Sequence, residues 1–74
     1  MIYIFQNISQ VKLDEGKQLV RNKGGKFYTD GSFEVSGVEG RLSYDGSTLT
    51  VLITDKPWLA SWEMIESELR KFFK

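Results

Sequence analysis

Cysteine and histidine are both absent from these 74 residues, and proline occurs once, at Pro57. Without cysteine no disulfide can form. Without either residue type, zinc, haem and iron–sulfur centres lose their usual ligands, and no cofactor is expected. The lack of histidine also removes the side chain that most often moves protons near neutral pH. Neither sign of charge is in excess, with ten basic and ten acidic side chains, so the positive surplus of a general nucleic-acid binder is missing. No apolar run approaches the ~20 residues of a membrane-spanning helix. The apolar start, Met1–Phe5, is interrupted by Gln6 and Asn7 before a signal-peptide core is complete. These absences predict a soluble, cytoplasmic protein.

What is present is aromatic and apolar material at regular spacing. A chain this short buries only about 60% of the surface it exposes when unfolded. Small scaffolds therefore lean on staples, a dense core or a second subunit. Staples being excluded, a good core or a second subunit remains, and the aromatic residues Tyr3, Phe5, Phe27, Tyr28, Phe33, Tyr44, Trp58, Trp62, Phe72 and Phe73 make the core plausible.

Residues 2–8 alternate, with Ile2, Ile4 and Ile8 on one side and Tyr3 and Phe5 on the other. β-branched and aromatic residues at that spacing predict a strand, and its two apolar faces suit an internal position. Residues 11–22 predict a helix of about three turns, with Leu13, Leu19 and Val20 sharing a stripe and Gly24-Gly25 as its stop. Gly16 in its middle costs about 1 kcal/mol relative to alanine. Asp30-Gly31 and Asp45-Gly46 each lie between alternating segments, a strong hairpin signal because primed turns need positive φ. Gly37-Val38-Glu39-Gly40 predicts a further reversal or a bulge. After Ile53 the period changes. Asp55 is the expected cap and Pro57 the expected first turn of a last helix. Trp58, Trp62, Ile65, Leu69 and Phe72 recur at helical spacing on one face.

The fold class that follows is α+β: one two-layer sandwich over residues 1–74. Its antiparallel sheet has β-α-β-β-β-α order, with room for one further short strand, and the helices lie on one face.

At Ser36-Gly37-Val38-Glu39-Gly40 the chain resembles the polyhydroxyalkanoic acid system family, small bacterial proteins named for genes near storage-granule loci. Such proteins show an S-G-V-D/E-G step between strands, then an alternating strand, a Leu-rich junction and a terminal helix. Leu42, Tyr44, Val51, Leu59, Ile65, Glu68 and Leu69 match that pattern. The match covers the C-terminal half, and the Gly24-Gly25 break departs from it. The resemblance implies a granule-associated or partner-binding protein and carries over no catalytic residue.

Candidate chemistry is sparse. Asp30, Asp45 and Asp55 sit where turns and caps want a carboxylate. Neither a G-x-S-x-G elbow nor a Walker loop occurs. Residues 16–29 hold Lys17, Arg21, Lys23 and Lys26 with no acid. Lys23-Gly24-Gly25-Lys26 is a candidate anion contact, and the alternative is a dipole-matched helix end. The last helix has more apolar side chains than one face can bury. Adjacent Phe72 and Phe73 cannot both point inward, nor can Trp58 and Leu59. The tryptophans belong in the core by spacing, and the surplus residues Trp58, Leu59 and Phe73 make a candidate partner surface. The sequence therefore predicts a non-enzymatic domain that binds a protein or a second copy of itself. Contact with an anion or nucleic acid through the basic segment is the alternative.

Overall fold

A computed structural model describes residues 1–73. The elements run β1 (Ile2–Phe5), α1 (Gln10–Asn22), β2 (Lys26–Phe27), β3 (Ser32–Val35), β4 (Val38–Tyr44), β5 (Leu49–Asp55) and α2 (Trp62–Phe73). The strands form one antiparallel sheet in the order β1-β5-β4-β3-β2. The two-layer α+β sandwich is as expected, β2 being the further short strand.

Register explains the layering. Phe33, Gly40 and Ile53 lie in one row across the sheet, and Leu42 aligns with Val51 and Tyr44 with Leu49. Phe33 and Val35, Leu42 and Tyr44, and Leu49, Val51 and Ile53 thus fall on a single face. Both helices cover that face. Leu13 and Val20 from α1 join Ile65, Leu69, Phe72 and Phe73 from α2 and Phe33, Leu49, Val51 and Ile53 from the sheet in one buried cluster. The opposite face, with Ile2, Ile4, Arg41, Ser43, Leu52 and Thr54, stays exposed.

Several details depart from expectation. β1 is an edge strand, not an internal one: Tyr3 and Phe5 face the core, while Ile2 and Ile4 face solvent. Ile8 leaves that pattern because Asn7 takes φ 60° and turns the chain. Ile8 is buried; its N–H donates to the Ser47 carbonyl at 2.7 Å, and its own carbonyl accepts from the Tyr44 hydroxyl at 2.6 Å. Helix α1 is capped by the Ser9 hydroxyl, which accepts from the Lys12 N–H. Leu19 is exposed, so the inward stripe is Leu13, Gly16 and Val20.

Among the described residues, the one turn with two consecutive positive φ values is Ser36-Gly37, at 51° and 80°, joining β3 to β4 in a two-residue loop. That is the pattern of a primed hairpin. In the two Asp-Gly turns only the glycine is left-handed, and the aspartate acts through its side chain instead. The Asp30 carboxylate accepts from the Ser32 N–H and hydroxyl, and Asp45 from the N–H groups of Ser47 and Thr48. A bulge at Glu39/Gly40 completes the second half of the Gly37–Gly40 expectation.

Helix α2 begins at Trp62, later than the sequence suggests. Ser61 supplies its cap, accepting from the Met64 N–H at 3.2 Å. Asp55 ends β5, and Pro57 lies in the connection rather than in a helical turn. Phe72 and Phe73 are both buried, at 6% and 1% exposure. The last turn of α2 is covered on two sides. Phe73 packs against Gly16 of α1 and the Phe5 ring, while Phe72 faces the sheet side near Phe33.

Candidate functional site

The connection between β5 and α2 carries the most exposed large apolar side chains of the described residues. Trp58 is 86% exposed and Leu59 75%. They are the central pair of a tight turn in which the Ala60 N–H donates to the Pro57 carbonyl at 3.0 Å. The corner residues of such a turn have no neighbouring chain to pack on, so both side chains project. The turn is braced on each side. The Lys56 ammonium donates to the Ala60 carbonyl at 2.7 Å and lies 5.4 Å from the Trp62 ring centre. The Pro57 ring sits against Gly37, close enough that a Cβ there would come within 2.9 Å of it. Gly37 therefore serves both the primed hairpin and the seating of this turn.

Beside the turn lies an apolar groove of about 280 Å³ between α2 and the β3–β4 hairpin. Val35, Val38, Ile53, Ala60, Met64 and Leu69 contribute to its walls. Met64 is 60% exposed, and its place off the Ile65–Leu69–Phe72 stripe was the only sequence sign of it. At the groove mouth Lys23 pairs with Glu68 at 3.3 Å, and Lys71 reaches Glu68 at 3.8 Å. These surface pairs hold the rim by about 0–1 kcal/mol each, so a partner could displace them at little cost. The arrangement is an apolar knuckle, an adjoining apolar slot and a weakly tied ionic rim.

Of the three sequence-derived partner residues, Trp58 and Leu59 form the knuckle. Phe73 does not belong to it, being the most buried phenylalanine, for the packing reason given above. Neither tryptophan is a core residue: Trp62 is 38% exposed and α2 packs through Ile65, Leu69, Phe72 and Phe73 instead. Periodicity assigned Trp58 to the helix face because it could not see that the helix starts four residues later, where Ser61 caps it.

Lys17 and Arg21 both lie over the Phe27 ring, 5.6 and 5.2 Å from its centre. Lys23 is engaged by Glu68 and stands over Phe72, while Lys26 is exposed on β2. The Gly24 and Gly25 N–H groups, which an anion would need, donate to the Arg21 and Val20 carbonyls. These two bonds make the glycine stop that ends α1.

No polar or charged residue is buried among the described residues. The titrations that move do so away from neutrality. The Ser32 hydroxyl and then its N–H, with a lesser pull from Arg41, hold Asp30 below the usual carboxylate range. The Thr48 and Ser47 N–H groups do the same for Asp45. Burial, then the charge of Glu66, pushes the Tyr3 hydroxyl up. Among the described residues no three acidic, histidine or cysteine side chains are grouped as metal ligands would be, and no helix is long and apolar enough to cross a membrane.

The residues behind the family resemblance have structural work of their own. Ser36 and Gly37 make the primed turn, Val38 walls the groove, and Gly40 lets the Phe33 ring lie 2.9 Å from where its Cβ would be. No family model, curated protein or solved structure matches the chain.

Proposed function

We propose that this chain is a non-catalytic binding domain that holds a protein partner through Trp58 and Leu59 and the adjoining groove. The observation that carries this reading is the projecting Trp58-Leu59 pair, braced by hydrogen bonds rather than left in a loose loop. An exposed tryptophan beside an apolar pocket is the composition of an interface anchor. A braced turn also loses little freedom on binding, so less of the contact energy is spent on ordering. Two further facts support the non-catalytic part: no polar or charged residue is buried among the described residues, and the shifted titrations of Asp30, Asp45 and Tyr3 lead away from neutral pH, whereas acid–base catalysts are tuned toward it.

The test is site-specific photocrosslinking in the cells that make the protein. A photoreactive residue at position 59 is expected to give one discrete protein adduct, and the same residue at Ser43, on the bare face of the sheet, none. Trp58→Ala should abolish the adduct while changing stability by no more than about 0.5 kcal/mol, as for other surface substitutions. Equal adducts from both positions, or none from position 59, would refute the proposal.

A further inference from the structure

We infer that this chain binds a small carboxylate with an apolar body, the body seated in a slot beside Phe27 and the charge held by Lys17 and Arg21. The slot shares no residue with the Trp58 knuckle or its groove, and the inference does not depend on the reading above.

The slot, of about 110 Å³, lies between α1 and the sheet. Leu13, Phe27, Leu42, Tyr44 and Leu49 give it apolar walls, and among the described residues Lys17 is the one charged residue that lines it. The Tyr44 hydroxyl already donates to the Ile8 carbonyl at 2.6 Å, so only its ring is left for a ligand. The walls are fixed in advance. Phe27 rests against Phe33, with ring centres 6.1 Å apart. The turn beside them is closed by the Gly31 N–H, which donates to the Tyr28 carbonyl at 3.1 Å. It is tied to β4 by the Leu42 N–H, which donates to the Gly31 carbonyl at 2.9 Å. An apolar cavity of about 150 Å³ holds benzene. A slot of this size at the surface takes one ring, or a branched chain of similar bulk, and leaves the polar end outside.

Lys17 and Arg21 stand one turn apart on α1, a spacing at which like charges are unfavourable. Both lie over the Phe27 ring. None of the ion pairs among the described residues includes either of them. The acids that flank them in sequence are engaged elsewhere. Asp14 accepts from the Gln10 amide, and Asp30 accepts from Ser32 with Arg41 at 3.7 Å. Covering the Phe27 ring needs only the alkyl stems of the two side chains and does not call for two charges. An anion between them removes the repulsion.

The two charges lie 5.6 and 5.2 Å from the centre of a ring that walls the slot, so the anionic group must adjoin the apolar body directly. A carboxylate meets a guanidinium through two parallel hydrogen bonds. Phosphate suits the place less well, because the Gly24 and Gly25 N–H groups that would cradle it already donate to the Arg21 and Val20 carbonyls. An extended polyanion also suits it less well. Lys23 is held by Glu68, and Lys26 precedes the inward Phe27 on β2 and so points to the opposite face of the sheet. The cationic patch therefore stops at two residues, the size of one carboxylate.

Benzoate is the probe, titrated into the isotope-labelled full chain at fixed ionic strength and followed by amide chemical shifts. Benzyl alcohol, with the ring but no charge, and inorganic phosphate, with charge but no ring, are titrated in parallel. Benzoate is expected to saturate with a Kd of about 1 mM, weak because the buried area is small and the ion pair exposed. The largest shifts should fall at Leu13, Lys17, Phe27, Gly31 and Leu42. Lys17→Met keeps the stem over Phe27 and removes the charge, and Arg21→Gln does the same for the guanidinium. Each should weaken benzoate about fivefold, while Trp58→Ala should bind it as the parent does. Shifts that remain linear to about 30 mM benzoate overturn the inference. So do benzyl alcohol or phosphate binding as well as benzoate, largest shifts outside the slot, or an affinity unchanged in the folded charge variants.

Discussion

Gly16 shows how a residue that looks like a fault in a helix can be required by a neighbour. In an isolated helix, alanine would be preferred by about 1 kcal/mol. Here a Cβ would overlap the Phe73 ring and lie 2.6 Å from the Phe72 carbonyl oxygen. The missing side chain is what lets α1 and α2 approach and what creates the second covered side of α2. Overpacking of this kind costs about 1–3 kcal/mol. Because a backbone oxygen is among the atoms met, the ring cannot relieve the clash alone. Gly16→Ala is expected to lower unfolding free energy by about 1 kcal/mol or more after the helix-propensity gain is deducted, as read by urea denaturation. A gain in stability would show that the helices are not held this closely.

At the scale of elements, the position of the α2 start decides what the connection before it can do. Had Asp55 capped the helix, Trp58 would lie one turn inside it. With Ser61 as the cap, residues 56–61 are free to form the braced turn that carries Trp58 and Leu59. The two possibilities separate cleanly by substitution. Ser61→Ala is expected to cost about 1 kcal/mol, the usual loss of a cap. Asp55→Ala should cost nothing comparable, since its carboxylate accepts only from the Lys56 N–H and stands opposite Glu39 across the strands, a like-charge pair that is unfavourable. Thermal denaturation of the two variants checks the contrast, and the reverse ranking would move the helix start back to the tryptophans.

Across the whole molecule, charge is balanced and ion pairs are confined to the surface, so pH acts mainly through the carboxylates that fasten turns. The hydrogen bonds to Asp30 and Asp45 depress their folded pKa values relative to the unfolded chain. Such groups stabilise the fold above the unfolded carboxylate value of about 3.9, and the contribution is lost as pH falls through the lower folded values. Denaturation midpoints should therefore be level near neutrality and decline below about pH 4. Both side chains are exposed, so solvent screens the effect and the decline is shallow. The pair of substitutions Asp30→Asn and Asp45→Asn should lower the neutral midpoint and flatten the acid limb. An unchanged acid limb would assign acid sensitivity to other groups.

Local signals in the chain were enough for the strands, the glycine stop after α1, the hairpin positions and the α+β class, because alternation, turn residues and helical spacing act over a few neighbours. They also named Trp58 and Leu59, since one helix face cannot bury every apolar residue near Pro57. Long-range packing decided the rest. That Phe73 is buried depends on Gly16, distant in sequence and supplying the space for its ring. That β1 is an edge depends on its pairing with β5 alone, which alternation within residues 2–8 cannot reveal. The groove exists only where α2 and the β3–β4 hairpin face each other. Periodicity shows which side chains seek burial; which of them obtain it is fixed by the shape of the elements they meet.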